Sequence, residues 1–107
     1  MNGKRAVVYV RTSSAGQVEK EGPKVQEDLC RAYAAMHGMV VVAVLHDEGV
    51  TGTSDTRPML AEAIAMVEDD EADAIVFPSL DRLARDTQVG MLLMTHMWNA
   101  GAEVHNA

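Results

Sequence analysis

An α/β sheet of parallel strands layered between helices is the fold class that this sequence predicts. Two observations point to it. Short β-branched runs alternate along the chain with stretches of helical period, and the runs are continuously apolar, as in strands covered on both faces. The order strand, helix, strand, helix, strand, helix, strand implies right-handed crossovers, a parallel sheet and helices on both of its faces.

Each element has its own signals. Residues 6–10 (AVVYV) form a β-branched run and read as a buried strand. Residues 23–37 place Val25, Leu29, Tyr33 and Met36 near helical period, and Gly38 stands as the stop. Residues 40–45 (VVVAVL) are a second continuous run. Residues 47–57 are rich in Gly, Thr, Ser and Asp and predict a loop. Pro58 suits the first turn of a helix, with Asp55 or Thr56 as its cap and Leu60, Ile64 and Val67 turned inward.

The acidic residues 68–71 predict a solvated turn, and residues 74–77 (AIVF) the third strand. Residues 87–99 form a helix ended by Gly101, and residues 102–104 begin a fourth strand. Met91, Met94 and Met97 lie beside Leu92, Leu93 and Trp98, so that last helix is apolar around much of its girth. Core packing explains it first, and cover by a further segment or subunit is the alternative.

Composition narrows the class. With 107 residues, 48% of them hydrophobic and 23% charged, the chain is long enough for one domain with a real core. No apolar run is long enough to span a bilayer and the first residues lack signal-peptide character, so a cytoplasmic protein is expected. Cys30 is the single cysteine, which rules out an intrachain disulfide, and it reads as a small buried hydrophobe. His37, His46, His96 and His105 show no metal spacing, and no metal or cofactor is expected. The net charge of −7 argues against a domain that grips duplex DNA unaided.

The cations are spent narrowly. After Arg31 the chain has no lysine and only Arg57, Arg82 and Arg85, the last two sharing one face of a helical turn in LDRLARD (residues 80–86). Arg11 lies two residues before Ser13; in an extended chain both side chains point the same way. Ligands of an open parallel sheet bind beyond the carboxyl ends of its strands. Arg11 and Ser13 follow the first strand, Asp47 and Thr51 the second, and Asp81, Arg82 and Arg85 the third. All fall on one rim. Arginine grips phosphate oxygens bidentately, so a serine among such arginines suggests phosphoryl transfer.

Taken singly, each residue has an ordinary explanation. Arg82 and Arg85 beside Asp81 and Asp86 form a surface ion-pair patch, Ser13 is a loop hydroxyl, Gln17 and Gln26 face solvent, and Tyr9 fills the core. A phosphate or nucleotide receptor without covalent chemistry is the competing function, but no glycine-rich loop follows the first strand. A non-catalytic subunit-interaction domain is the third reading.

Together, YVRTS (residues 9–13), Gln17, Gln26, DEGVTG (residues 47–52), Arg57-Pro58 and LDRLARD resemble the catalytic domain of serine site-specific recombinases, the resolvase and invertase group that includes large serine integrases. The resemblance implies a flavodoxin-like sheet of order 2-1-3-4 over residues 1–107. It makes Ser13 the nucleophile that forms a 5′-phosphoserine with DNA, and Arg11, Arg57, Arg82 and Arg85 the ligands of the scissile phosphate. Asp81, Asp47 and Gln17 support the site, with Gln26 and Thr51 near the substrate; Thr51 stands where serine is usual. Family members continue into a long dimerisation helix and a DNA-binding domain. The implied partners are therefore double-stranded DNA and further subunits, both engaged through the full-length protein. The chain alone is expected to bind DNA feebly and recombine nothing.

Overall fold

The computed structural model describes residues 3–12, 22–48, 57–79 and 87–107. Four strands, β1 (Arg5–Thr12), β2 (Val40–Glu48), β3 (Ala74–Phe77) and β4 (Glu103–Asn106), form one sheet in the order β2-β1-β3-β4. Every pairing is parallel. Among the described residues three helices connect them, α1 (Pro23–Met36), α2 (Pro58–Glu68) and α3 (Thr87–Asn99).

The continuous apolar runs are explained by burial on both faces. Residues 6–10 of β1 and all four residues of β3 are at most 1% exposed. Ala6, Val8 and Val10 pack with Cys30 and Ala34 of α1 on one face. Val7, Tyr9, Ile75 and Phe77 pack with Leu60 and Ala63 of α2 and Met97 of α3 on the other. The result is a three-layer α/β/α arrangement.

The described helices end alike. Met39 donates to Ala34 O at 2.8 Å, Glu71 to Met66 O at 2.7 Å and Ala102 to Met97 O at 3.1 Å, each just after a residue of positive φ. These are the wrapped ends expected where the chain turns sharply from helix to strand. Gly38 (φ 72°) and Gly101 (φ 98°) supply the left-handed residue as the sequence predicts. Asp70 (φ 60°) does so after α2, and Arg5 Nη1 donates to its carbonyl oxygen at 2.7 Å.

Three expectations are corrected. Strands β1 and β2 run further than their apolar cores, through Thr12 and Glu48, so Asp47 belongs to a strand and not to the loop after it. Parallel pairing to β1 continues along both, which extends the ladder past the last apolar side chains. The N-cap position of α2 is held by Arg57, not Asp55 or Thr56, because Pro58 takes the first helical position, and the Arg57 side chain makes no capping hydrogen bond. Finally, most of the periodic apolar residues of α1 do not face inward: Val25, Leu29 and Met36 are exposed and Tyr33 packs at the edge of the core, whereas Gln26, Cys30 and Ala34 are buried. Small side chains let this helix lie close to the sheet, and bulkier ones are turned out. On α3, Met97 is fully buried while Met91, Leu92 and Trp98 are exposed, so apolar character does extend around it.

One irregularity sets the phase of the rim. Ala6 pairs with Val41, but Val7 pairs with Ala43, leaving Val42 as an extra residue on β2. Beyond this bulge Arg11 pairs with Asp47. Without it, the same ladder would set His46 opposite Arg11 and turn Asp47 to the other face.

Candidate active site

In this strand order the chain leaves β1 first toward β2 and later crosses back to β3, so the direction of winding reverses beside the carboxyl end of β1. Arg11 stands there, 7% exposed, on the face shared with Tyr9 and opposite Asp47 of β2. Asp47 is 3% exposed and Arg57, at the start of α2, 5%. Two guanidinium groups and one carboxylate buried at one end of a sheet are costly to desolvate unless each is bonded.

The bonds centre on Asp47. Its Oδ1 accepts the Met59 amide at 3.1 Å, and its Oδ2 accepts the Leu60 amide at 3.2 Å. Those are amides of the first turn of α2, which have no partner within the helix. The carboxylate therefore caps α2 from a neighbouring strand and complements its dipole. The Tyr9 hydroxyl donates to the same Oδ2 at 2.9 Å. Burial, then the hydrogen bond and charge of Asp47, push the Tyr9 phenol far above its ordinary range against the opposing pull of Arg57. Tyr9 is thus a neutral donor at any ordinary pH.

Of the residues singled out in the sequence, Arg11, Asp47 and Arg57 are placed at this rim. Gln26 lies in the first turn of α1, in the opposite helical layer, and is 1% exposed, which removes the solvent-facing explanation for it. Ser13, Gln17, Thr51, Asp81, Arg82 and Arg85 lie outside the described residues. Sequence reasoning assigned Tyr9 to packing alone. The overlooked signal is its hydroxyl, which a strand of otherwise purely apolar residues must satisfy somewhere.

Arg57 also borders a groove of about 310 Å³ between α2 and α3, lined further by Leu60, Ile64, Leu93 and His96. No group of three or more side chains suited to a metal ion occurs among the described residues. None of the described helices is long and apolar enough to cross a membrane.

The site defines a class. Arginines gathered at the switch point of a 2-1-3-4 sheet, with an acid that caps the following helix, suit an anionic ligand such as a phosphate. The family model for the resolvase N-terminal domain matches residues 6–107, and the chain belongs to that family of serine recombinase catalytic domains.

Solved structures agree. The C-terminal catalytic domain of ISC1926 TnpA, an IS607-like serine recombinase, is 29% identical with a TM-score of 0.79, over 95% of this chain and 68% of that one. The N-terminal catalytic domain of TP901-1 integrase is 25% identical with a TM-score of 0.85, over 96% and 77%. A resolvase family site-specific recombinase from Streptococcus pneumoniae is 20% identical with a TM-score of 0.75, over 94% and 70%, and shares the fold. No curated protein sequence matches significantly.

Proposed function

We propose that this domain cuts and rejoins DNA strands in site-specific recombination, with Ser13 as nucleophile. The observation that carries the reading is the pair of buried arginines, Arg11 and Arg57, set at the carboxyl end of the sheet around Asp47. Family membership and the catalytic-domain neighbours support it.

In the proposed step Ser13 Oγ attacks the scissile phosphorus and loses its proton. The bond from phosphorus to the 3′ oxygen breaks, that oxygen takes up a proton, and a 5′-phosphoserine remains on the protein. Rejoining is the reverse, so the energy of the phosphodiester is retained. Negative charge that grows on the phosphoryl oxygens is met by Arg11, Arg57, Arg82 and Arg85. Asp81 orients an arginine or carries a proton, while Gln17, Gln26 and Thr51 support the DNA strand.

The net charge of −7 fits a catalytic piece that is recruited to DNA by other parts of the recombinase, and assembly into dimers and tetramers belongs to the same reading of the full-length protein. The site of action is the cytoplasm, where the DNA is. The test uses the recombinase that carries this domain and DNA nicked near the crossover point. A protein–DNA adduct that survives denaturation should form with the wild type and vanish in Ser13→Ala; an undiminished adduct in that variant would falsify the assignment.

A further inference from the structure

We propose that the outer face of α1 is a contact for a second copy of this chain, the two helices pairing antiparallel. Val25, Leu29 and Met36 are 52%, 47% and 83% exposed, and Ala32 among them is exposed as well. These four residues follow one another at intervals of 4, 3 and 4 positions. That is the spacing of a seam between two helices, narrower than the stripe of a helix lying on a core. Cys30 and Ala34 already make the contact of α1 with the sheet, so the seam is a second apolar face.

The sizes along the seam select the partner. About a two-fold axis between residues 30 and 31, an antiparallel pair sets Val25 opposite Met36 of the partner subunit. The same register sets Leu29 opposite Ala32 of the partner subunit, because both pairs share one midpoint. The bulk of leucine then meets a small residue and the seam interdigitates. A parallel pair would put alanine against alanine and leave a void there. The contact uses the same patch on both copies, so it closes on itself.

Charge agrees. α1 carries Lys24, Glu27, Asp28 and Arg31, a net charge of zero in a chain of −7. All four are paired along the helix, Lys24 with Asp28 at 2.8 Å and Arg31 with Glu27 at 2.7 Å. This face can meet its own copy without the local repulsion that an acidic surface would bring. A pair of helices of 14 residues falls below the roughly 1,200 Å² of the smallest stable complexes. The contact is therefore weak by itself. On the recombinase reading it acts between subunits gathered on DNA, where linkage gives effective concentrations of about millimolar. The pairing itself does not depend on that reading.

The test is sedimentation equilibrium of the 107-residue chain without DNA, at concentrations up to about 1 mM. The wild type should dimerise reversibly, and more tightly in high salt, which screens the repulsion between two chains of −7. Val25→Glu and Met36→Lys, alone, should each weaken association at least about tenfold by placing an unpaired charge in the seam. Mixed in equal amounts the two variants should associate again, because positions 25 and 36 face each other. Val25→Glu mixed with Val25→Lys should not, since those positions lie about 16 Å apart along antiparallel helices.

The substituted residues are exposed, so melting temperatures should stay within about 3 °C of the wild type. Recovery on mixing cannot come from unfolded chains, which keeps the test sound even if one variant is less stable. A chain that stays monomeric throughout, dissociation by salt, or association indifferent to both variants overturns the contact. So does recovery by the two position-25 variants in place of the 25–36 pair. Failure to form an adduct with DNA would remove the recombinase reading and leave this contact standing.

Discussion

Tyr9 and Asp47, 38 residues apart in the chain, meet through a hydroxyl-to-carboxylate hydrogen bond of 2.9 Å buried between β1 and β2. The bond links a residue of the apolar core to a residue of the rim. It also ties the sheet to the start of α2, since the same carboxylate receives the Met59 and Leu60 amides. Rim and core are consequently one structure here, and changes to the first should register in the stability of the second.

Asp47→Asn tests that link. One carboxylate oxygen becomes an amide nitrogen, and whichever oxygen is replaced, the backbone N–H of Met59 or of Leu60 is left facing a donor. The expected cost is about 1–3 kcal/mol, as for a buried donor left unsatisfied. Urea denaturation followed by circular dichroism measures it. A midpoint equal to that of the wild type would mean that the α2 amides are not held by this carboxylate.

Cys30 is fully buried beneath α1, and burial pushes its thiol up to about 12. Because the thiolate is the reactive form, the native protein should resist alkylation at pH 8 and label rapidly only in denaturant. Labelling of the folded protein at the rate of a free cysteine peptide would contradict this placement.

The outward turn of the α1 stripe makes a paired prediction. Leu29→Glu replaces an exposed residue and should cost less than ~0.5 kcal/mol. Ala34→Leu forces new volume against Val8 and Val76 and should cost ~1–3 kcal/mol. Thermal melts of the two variants would reverse in order if Leu29 and not Ala34 faced the sheet.

At the opposite end of the sheet, the Asp73 carboxylate receives Nε of Arg5 at 3.1 Å, Nη2 at 3.0 Å and the Arg5 amide at 2.8 Å. The side-chain bonds to Arg5 lead in lowering its pKa to about 2, below the ordinary carboxylate value near 4. A depressed carboxylate stabilises the fold fully above its ordinary value and loses that contribution as pH falls toward the native one. The stability difference between wild type and Asp73→Asn should therefore be constant above about pH 5 and shrink between about pH 4 and 2. Urea midpoints across that range measure it; a difference that grew on acidification would contradict the pairing.

The layering, the four strands and the three helices were legible in the sequence because continuous apolar runs and glycine stops are local signals. The placement of Arg11 and Asp47 at one end was legible as well, since strand ends and topology place them there, whereas Arg57 was legible only as a residue of the following loop that the family resemblance brings to the site. What escaped reading depends on contacts between distant residues. The cap of α2 is the clearest instance: Asp55 and Thr56 stood near in sequence, but Asp47 reaches the helix across the strand–helix connection. The bulge at Val42, which puts Asp47 and not His46 beside Arg11, has no turn residue to announce it. On α1 the periodic residues were the bulky ones, whereas the sheet selected the small face of Cys30 and Ala34.

The most direct measurement is to identify the amino acid that becomes linked to DNA. A trapped adduct of the full-length recombinase, digested with nuclease and protease and sequenced by mass spectrometry, should carry its nucleotide 5′-phosphate on Ser13. A nucleotide on Ser14, on Tyr9 or on any other side chain would contradict the account.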